Sequence, residues 1–187
     1  MSGPTQTPAF NGRAFFGFAR ARPVFQINWP AGQAAPPGYT QADVSLLPVA
    51  QGSVQVDFAP GWSTAPGPAA VLLATFTAAS AGHKGIEIYV LPDGTLNFFT
   101  LKSDTATTNL ASSPLTWVNG QTYRIKAAWG AGNLFIYRDG TLVASNITGS
   151  AVMPDGHDEL DVGFALISGL PADSATGTLY RVLFFSN

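Results

Sequence analysis

The chain contains no cysteine. Disulfides, thiol nucleophiles and zinc sites built on thiolates are therefore excluded. Charge is scarce as well: Asp, Glu, Lys and Arg make up 11% of the residues, well below the usual ~25%. The net charge is −2, which gives no bulk attraction to nucleic acid or to an anionic membrane. Histidine occurs only at positions 83 and 157, so general-base chemistry has few candidates. No apolar run approaches the ~20 residues of a membrane-spanning helix. The N-terminal stretch lacks a signal peptide's order of basic region, apolar core and cleavage site. These absences lead us to expect a soluble protein made in the cytoplasm without a general export signal.

What the chain does have is apolar and aromatic: 46% apolar residues, with 13 Phe and 4 Trp. Such a surface either packs against partners or is built from Ser, Thr, Asn and Gly. The most informative stretch runs from Thr116 to Gly149. Tyr123, Ile125, Ala127 and Trp129 alternate with Arg124, Lys126 and Ala128, the period of a strand with one buried face. Gly130, Ala131, Gly132 and Asn133 break the pattern; Leu134 to Arg138 resumes it and ends at Asp139-Gly140, a hairpin turn signal. Extending this reading predicts strands over 52–59, 70–77, 85–91, 95–102, 107–111, 122–129, 133–138, 141–145, 159–167 and 177–185. Short strands are expected over 13–20, 24–28 and 43–48, and loops over 30–42 and 60–69, where Pro and Gly cluster. No helix of useful length is predicted.

Trp117, Gly120, Tyr123, Trp129, Gly132, Leu134, Ile136, Tyr137, Asp139, Gly140, Leu142 and Val143 fall in an order that resembles the concanavalin A-like lectin/glucanase (laminin G-like) superfamily. The early strand from Gly52 to Phe58, the Pro92-Asp93-Gly94 turn, and the closing strand from Gly177 to Phe185 fit the same order. The resemblance covers residues 50–187 and implies an all-β fold, a two-sheet antiparallel jelly-roll β-sandwich, preceded by an extension over residues 1–49. It implies no single function, because this fold hosts lectins, glycosidases and structural modules alike.

Glycosidases of the superfamily carry Glu-x-Asp-x-Glu or a close variant on one strand, aiming two carboxylates into a cleft. Here only Glu159-Leu160-Asp161 echoes it, and Gly163 stands where the acid/base carboxylate belongs. An enzyme is therefore not expected, and no catalytic residue is assigned. His83 and His157 both fall in turns and read as exposed loop histidines, although His83 is retained as a ligand-binding candidate. No cofactor is expected. Asp155, Asp158 and Asp161 form the calcium candidate, since a hard cation takes carboxylate oxygens, against a plain acidic loop. Trp62, in a Gly-, Pro- and Ser-rich loop, is the candidate aromatic platform for a sugar, unless it folds back over the sandwich end.

The N-terminal segment interleaves Phe15, Phe16 and Phe18 with Arg20 and Arg22. As a nucleic-acid footprint this is thin; as a packing arm it would lay aromatics on a partner subunit. The expected function is a non-enzymatic structural or interaction protein of a virion, either capsid decoration or fibre-associated. It would be a homo-oligomer or bind capsid or fibre proteins. The alternative is a lectin-like carbohydrate-binding module that touches cell-surface glycan, and a glycoside hydrolase is the remote third.

Overall fold

The computed structural model describes residues 22–28, 39–41, 43–76, 83–163, 165–167, 170–172 and 177–186. Among these, every regular element is a strand. In chain order they are β1 (Phe25–Asn28), β2 (Tyr39–Gln41), β3 (Gly52–Pro60), β4 (Ala70–Ala74), β5 (Gly85–Val90), β6 (Thr95–Leu101) and β7 (Thr107–Pro114). β8 (Tyr123–Gly130), β9 (Asn133–Arg138), β10 (Thr141–Asn146), β11 (Leu160–Val162), β12 (Ala165–Ile167), β13 (Leu170–Ala172) and β14 (Gly177–Phe185) follow. The first sheet has the order β1-β14-β3-β8-β9-β10 and the second β2-β11-β4-β5-β6-β7; β12 and β13 form a separate hairpin. All pairings are antiparallel, and the two six-stranded sheets make a sandwich of the expected jelly-roll class.

The core follows from alternation. On β3, Val54, Val56 and Phe58 are fully buried; on β8, so are Ile125, Ala127 and Trp129. Their register pairs Val54 with Ala127 and Val56 with Ile125. On the other side of β3, Val54 pairs with Phe184 and Val56 with Val182, both buried. Ile86, Ile88, Leu96 and Phe98 supply the facing layer. The layers meet where the Phe98 and Trp129 rings lie 6.1 Å apart. Each such side chain contributes roughly 1.5–3 kcal/mol on burial, which is how a cysteine-free chain holds a sandwich together.

Two hairpin turns require left-handed backbone. Asp139 and Gly140 have φ of 53° and 83°, and Ala131 and Gly132 have φ of 50° and 72°; both are two-residue turns whose twist matches the strands. At Gly132 a Cβ would sit 2.1 Å from the Gly149 carbonyl oxygen, so only glycine fits.

Some expected boundaries shift. Residues 43–48 form a turn, with Leu47 N–H donating to Val44 O at 3.0 Å, and not a strand. The strand lies just upstream at Tyr39–Gln41, inside the expected loop. The expected strand over 159–167 divides into β11 and β12 at Gly163, whose φ is 80°. Two pieces of the expected N-terminal extension join the sandwich: β1 pairs with β14 and β2 with β11, each as an outermost strand of its sheet.

The segment before β3 is tied down by two side chains. Trp129 Nε1 donates to Val49 O at 2.6 Å. His157 Nε2 lies 2.8 Å from Pro48 O, and its Nδ1 lies 2.7 Å from Thr75 Oγ1. A carbonyl only accepts, so Nε2 carries the proton and Nδ1 accepts the Thr75 hydroxyl; neutral imidazole satisfies both contacts. His157 is thus a buried strut, 8% exposed, and not the exposed loop histidine that its turn sequence implied. Burial pushes its pKa below the ordinary value; the Pro48 bond and the Asp158 carboxylate oppose the shift, and Lys84 adds to it.

Trp129→Ala is expected to cost about 3–5 kcal/mol of unfolding free energy, measured by chemical denaturation. For His157, the unfolded chain takes up a proton below about pH 6.5 while the folded chain resists it. Stability is therefore full above that pH and falls as pH drops through the window below it. Denaturation curves between pH 7.5 and 5 should show this slope in the wild type and a shallower one in His157→Gln.

Candidate functional site

The same alternation that fills the core sets out three rows on the outer face of the first sheet. Arg181 on β14 pairs with Asp57 on β3, which pairs with Arg124 on β8. The next row is Leu183, Gln55, Lys126, Tyr137 and Leu142. The third is Phe185, Ser53, Ala128, Phe135 and Ser145. Since Val54, Val56, Ile125, Ala127, Val182 and Phe184 face the core, these residues point to the other face of the sheet, where Ser53, Ala128 and Leu183 are themselves buried.

The first row is ionic. Asp57 Oδ2 accepts a short hydrogen bond from Arg181 Nη2, and Oδ1 accepts from Gln55 Nε2 at 2.9 Å and lies 3.5 Å from Arg124 Nε. The backbone N–H of Arg124 donates to Asp139 Oδ1 at 2.8 Å, which fastens the β9–β10 turn to the same row. In the second row Lys126 Nζ sits 5.7 Å from the centre of the Phe185 ring. Burial pushes the Lys126 ammonium below its ordinary pKa and the Tyr137 phenol above its own. Gln55, Arg124, Lys126, Tyr137 and Gly140 line a cavity of about 250 Å³. Two polar atoms of this face, Arg181 Nε and Ser53 Oγ, are buried without a hydrogen-bond partner. Among the described residues, Arg124, Lys126 and Arg181 share this face with the carboxylates of Asp57 and Asp139. Chemically the face offers an aromatic wall, an amide and several cationic donors around a shallow hollow. Among the described residues it places no acid and base on opposite sides of a cleft.

A larger hollow of about 620 Å³ lies elsewhere, with Val49, Ala50, Val152, Met153 and Pro154 on its walls. It has no aromatic wall, and its charges are spent on near neighbours. Lys102 Nζ lies 3.6 Å from Asp104 Oδ2, and Asp155 accepts from the Ser103 backbone N–H at 3.1 Å and from the Ser103 hydroxyl.

The residues singled out from sequence land elsewhere. Trp62 is not an exposed platform. It is 8% exposed, its ring is 5.4 Å from that of Phe58, and its Nε1 is buried without an acceptor. The loop folds back over the sandwich end because Thr64 N–H donates to Trp117 O at 2.8 Å. His83 is half-buried, with Nδ1 2.9 Å from Asp158 Oδ2, which also accepts from Lys84 N–H at 3.2 Å. The calcium candidates do not converge: Asp155 is held by Ser103, Asp158 faces His83, and Asp161 is fully buried in β11. Among the described residues no group of three acidic or histidine side chains is placed to hold a metal ion. Glu159 is pushed up in pKa by burial and then by Asp161 and Asp158, but Asp161 is enclosed in the sheet and cannot act opposite it across a cleft. Of the expected partner-binding residues, Arg22 is exposed, and Phe15, Phe16, Phe18 and Arg20 lie outside the described residues.

No protein-family model matches the chain, and no curated protein sequence does. Solved structures do. The CBM40 of the Ruminococcus gnavus IT-sialidase, bound to α2,3-sialyllactose, superposes with a TM-score of 0.66 at 12% identity, covering 87% of this chain and 92% of that one. The NanB sialidase of Streptococcus pneumoniae gives 0.67 at 15% identity, with 88% of this chain matched to 26% of the sialidase. A heptameric SAP-like pentraxin from Limulus polyphemus gives 0.56 at 19% identity over 85% of this chain and 74% of that one. The shared feature is the fold, a two-sheet antiparallel jelly-roll β-sandwich of the concanavalin A-like kind. The expected virion role draws no support from these likenesses.

Proposed function

We propose that this chain is a non-catalytic carbohydrate-binding module that holds an anionic, sialylated glycan on the outer face of its first sheet. The observation that carries the reading is the cavity between Tyr137, Lys126, Arg124 and Gln55. Sugar recognition asks for an apolar ring face to lie against the sugar's C–H groups and a few polar groups to fix its hydroxyls. Tyr137 supplies the first and Gln55 the second. A sugar carboxylate adds a charge, and charge-assisted hydrogen bonds from guanidinium or ammonium are roughly twice as strong as neutral ones. At about 250 Å³ the hollow falls below the ~300–1,000 Å³ of pockets that enclose drug-sized ligands, which suits one terminal sugar ring more than a chain.

The structural neighbours support the class of ligand in the same direction, because the R. gnavus module is bound to sialyllactose. A non-catalytic role is supported by the burial of Asp161, which among the described residues leaves Glu159 without a carboxylate partner across a cleft.

Titration calorimetry at low salt should show 3′-sialyllactose binding and lactose not. Lys126→Gln and Tyr137→Ala, both on the outer face, should each weaken sialyllactose binding by about tenfold or more, near 1.4 kcal/mol, while retaining the wild-type circular dichroism. Equal binding of lactose, or full affinity in both variants, would count against this reading.

A further inference from the structure

We infer that Asp57 is a specificity-determining residue: a built-in competitor that occupies Arg124 and Arg181 and so sets how strongly this face takes an anionic ligand. The inference rests on the glycan-binding reading and concerns the regulation of that same site. Asp57 stands between the two arginines in one cross-strand row, where directly opposite residues are roughly 5 Å apart. A carboxylate at that point does what a ligand carboxylate would do. Its Oδ2 takes Arg181 Nη2, while its Oδ1 lies near Arg124 Nε and takes the Gln55 amide.

The Asp57 side chain is 14% exposed, against 58% for Arg124 and 35% for Arg181. The two arginines thus present outward parts to solvent while their shared counter-ion lies beneath them. An internal partner acts at a fixed, high effective concentration, so an incoming anion gains only the difference between its own contacts and those of Asp57. Lys126 lies in the adjacent row, with its ammonium over the Phe185 ring. Arg181 Nε is a donor that Asp57 leaves unsatisfied. The face is therefore tuned for weak, discriminating binding. A neutral sugar brings no carboxylate to pair with the arginines, and an acidic one must share them with Asp57.

Asp57→Asn tests this, because it keeps the side-chain size and a hydrogen-bonding oxygen and removes the charge. The expected result is about tenfold tighter binding of 3′-sialyllactose, a steeper loss of affinity with added salt, and no gain for lactose. Unchanged or weaker sialyllactose binding by folded Asp57→Asn would overturn the inference, because Asp57 would then be a strand tie or a direct ligand contact. Asp57→Ser, with its unfolding midpoint checked, serves if the amide destabilises the sheet. If neither wild type nor variant binds any glycan, the glycan reading fails and the competitor role is judged with inorganic sulfate. The arginine Nε–H resonances of Arg124 and Arg181 should then respond at about tenfold lower sulfate in Asp57→Asn than in wild type. An identical response would overturn the competitor role.

Discussion

The register of β3 against β8 and β14 is the constraint on which both the core and the candidate site depend. Val54, Val56 and Phe58 face inward beside Ala127, Ile125 and Tyr123 on one side and Phe184, Val182 and Leu179 on the other. A slip of one residue in β3 would carry Gln55 and Asp57 into the sandwich and these three apolar side chains out of it. Each exposed apolar side chain forfeits roughly 1.5–3 kcal/mol, and an unpaired buried carboxylate adds a further penalty. The row Arg181–Asp57–Arg124 therefore needs no special device to assemble. It is the outer image of a core that admits one register.

Ties at the ends of the sandwich keep that face in place. The Asp139-Gly140 turn accepts the Arg124 backbone N–H through the Asp139 carboxylate, and Gly140 lines the cavity itself. At the same end of β9, Arg138 stacks over Trp117 and Tyr123 at 5.5 Å and 5.3 Å and donates to Thr116 O at 2.8 Å. The lead-in to β3 is held by Trp129 through Val49 and by His157 through Pro48. Rigidity of this kind matters for a shallow site, because side chains already ordered lose less freedom when a ligand arrives.

The strands were legible wherever alternation and turn chemistry agreed. Gly177–Phe185 and Asn133–Arg138 match the expected bounds, and Gly52–Pro60 and Tyr123–Gly130 differ from theirs by one residue at one or both ends. Tyr39–Gln41 was not legible, since three residues beside Pro and Gly carry no period and join a sheet only through pairing with β11. Trp62 misled because loop composition says nothing of where a loop folds; Phe58 offered an apolar end to cover. His157 misled in the same way, its turn sequence hiding the acceptors that Thr75 and Pro48 bring from 82 and 109 residues away. The outward Arg124 and Lys126 were visible in the alternation of β8. Their meeting with Asp57 and Arg181 was not, because it depends on which strands lie side by side, and Arg181 is 124 residues from Asp57.

The central claim is that ligand recognition happens on the outer face of the first sheet, in the hollow beside Tyr137. Backbone amide chemical-shift mapping with 3′-sialyllactose tests it most directly. The account predicts saturable shifts concentrated at Gln55, Arg124, Lys126, Tyr137 and Gly140. Shifts confined to the Trp62 and His83 loops or to the second sheet, or none at saturating sugar, would contradict it.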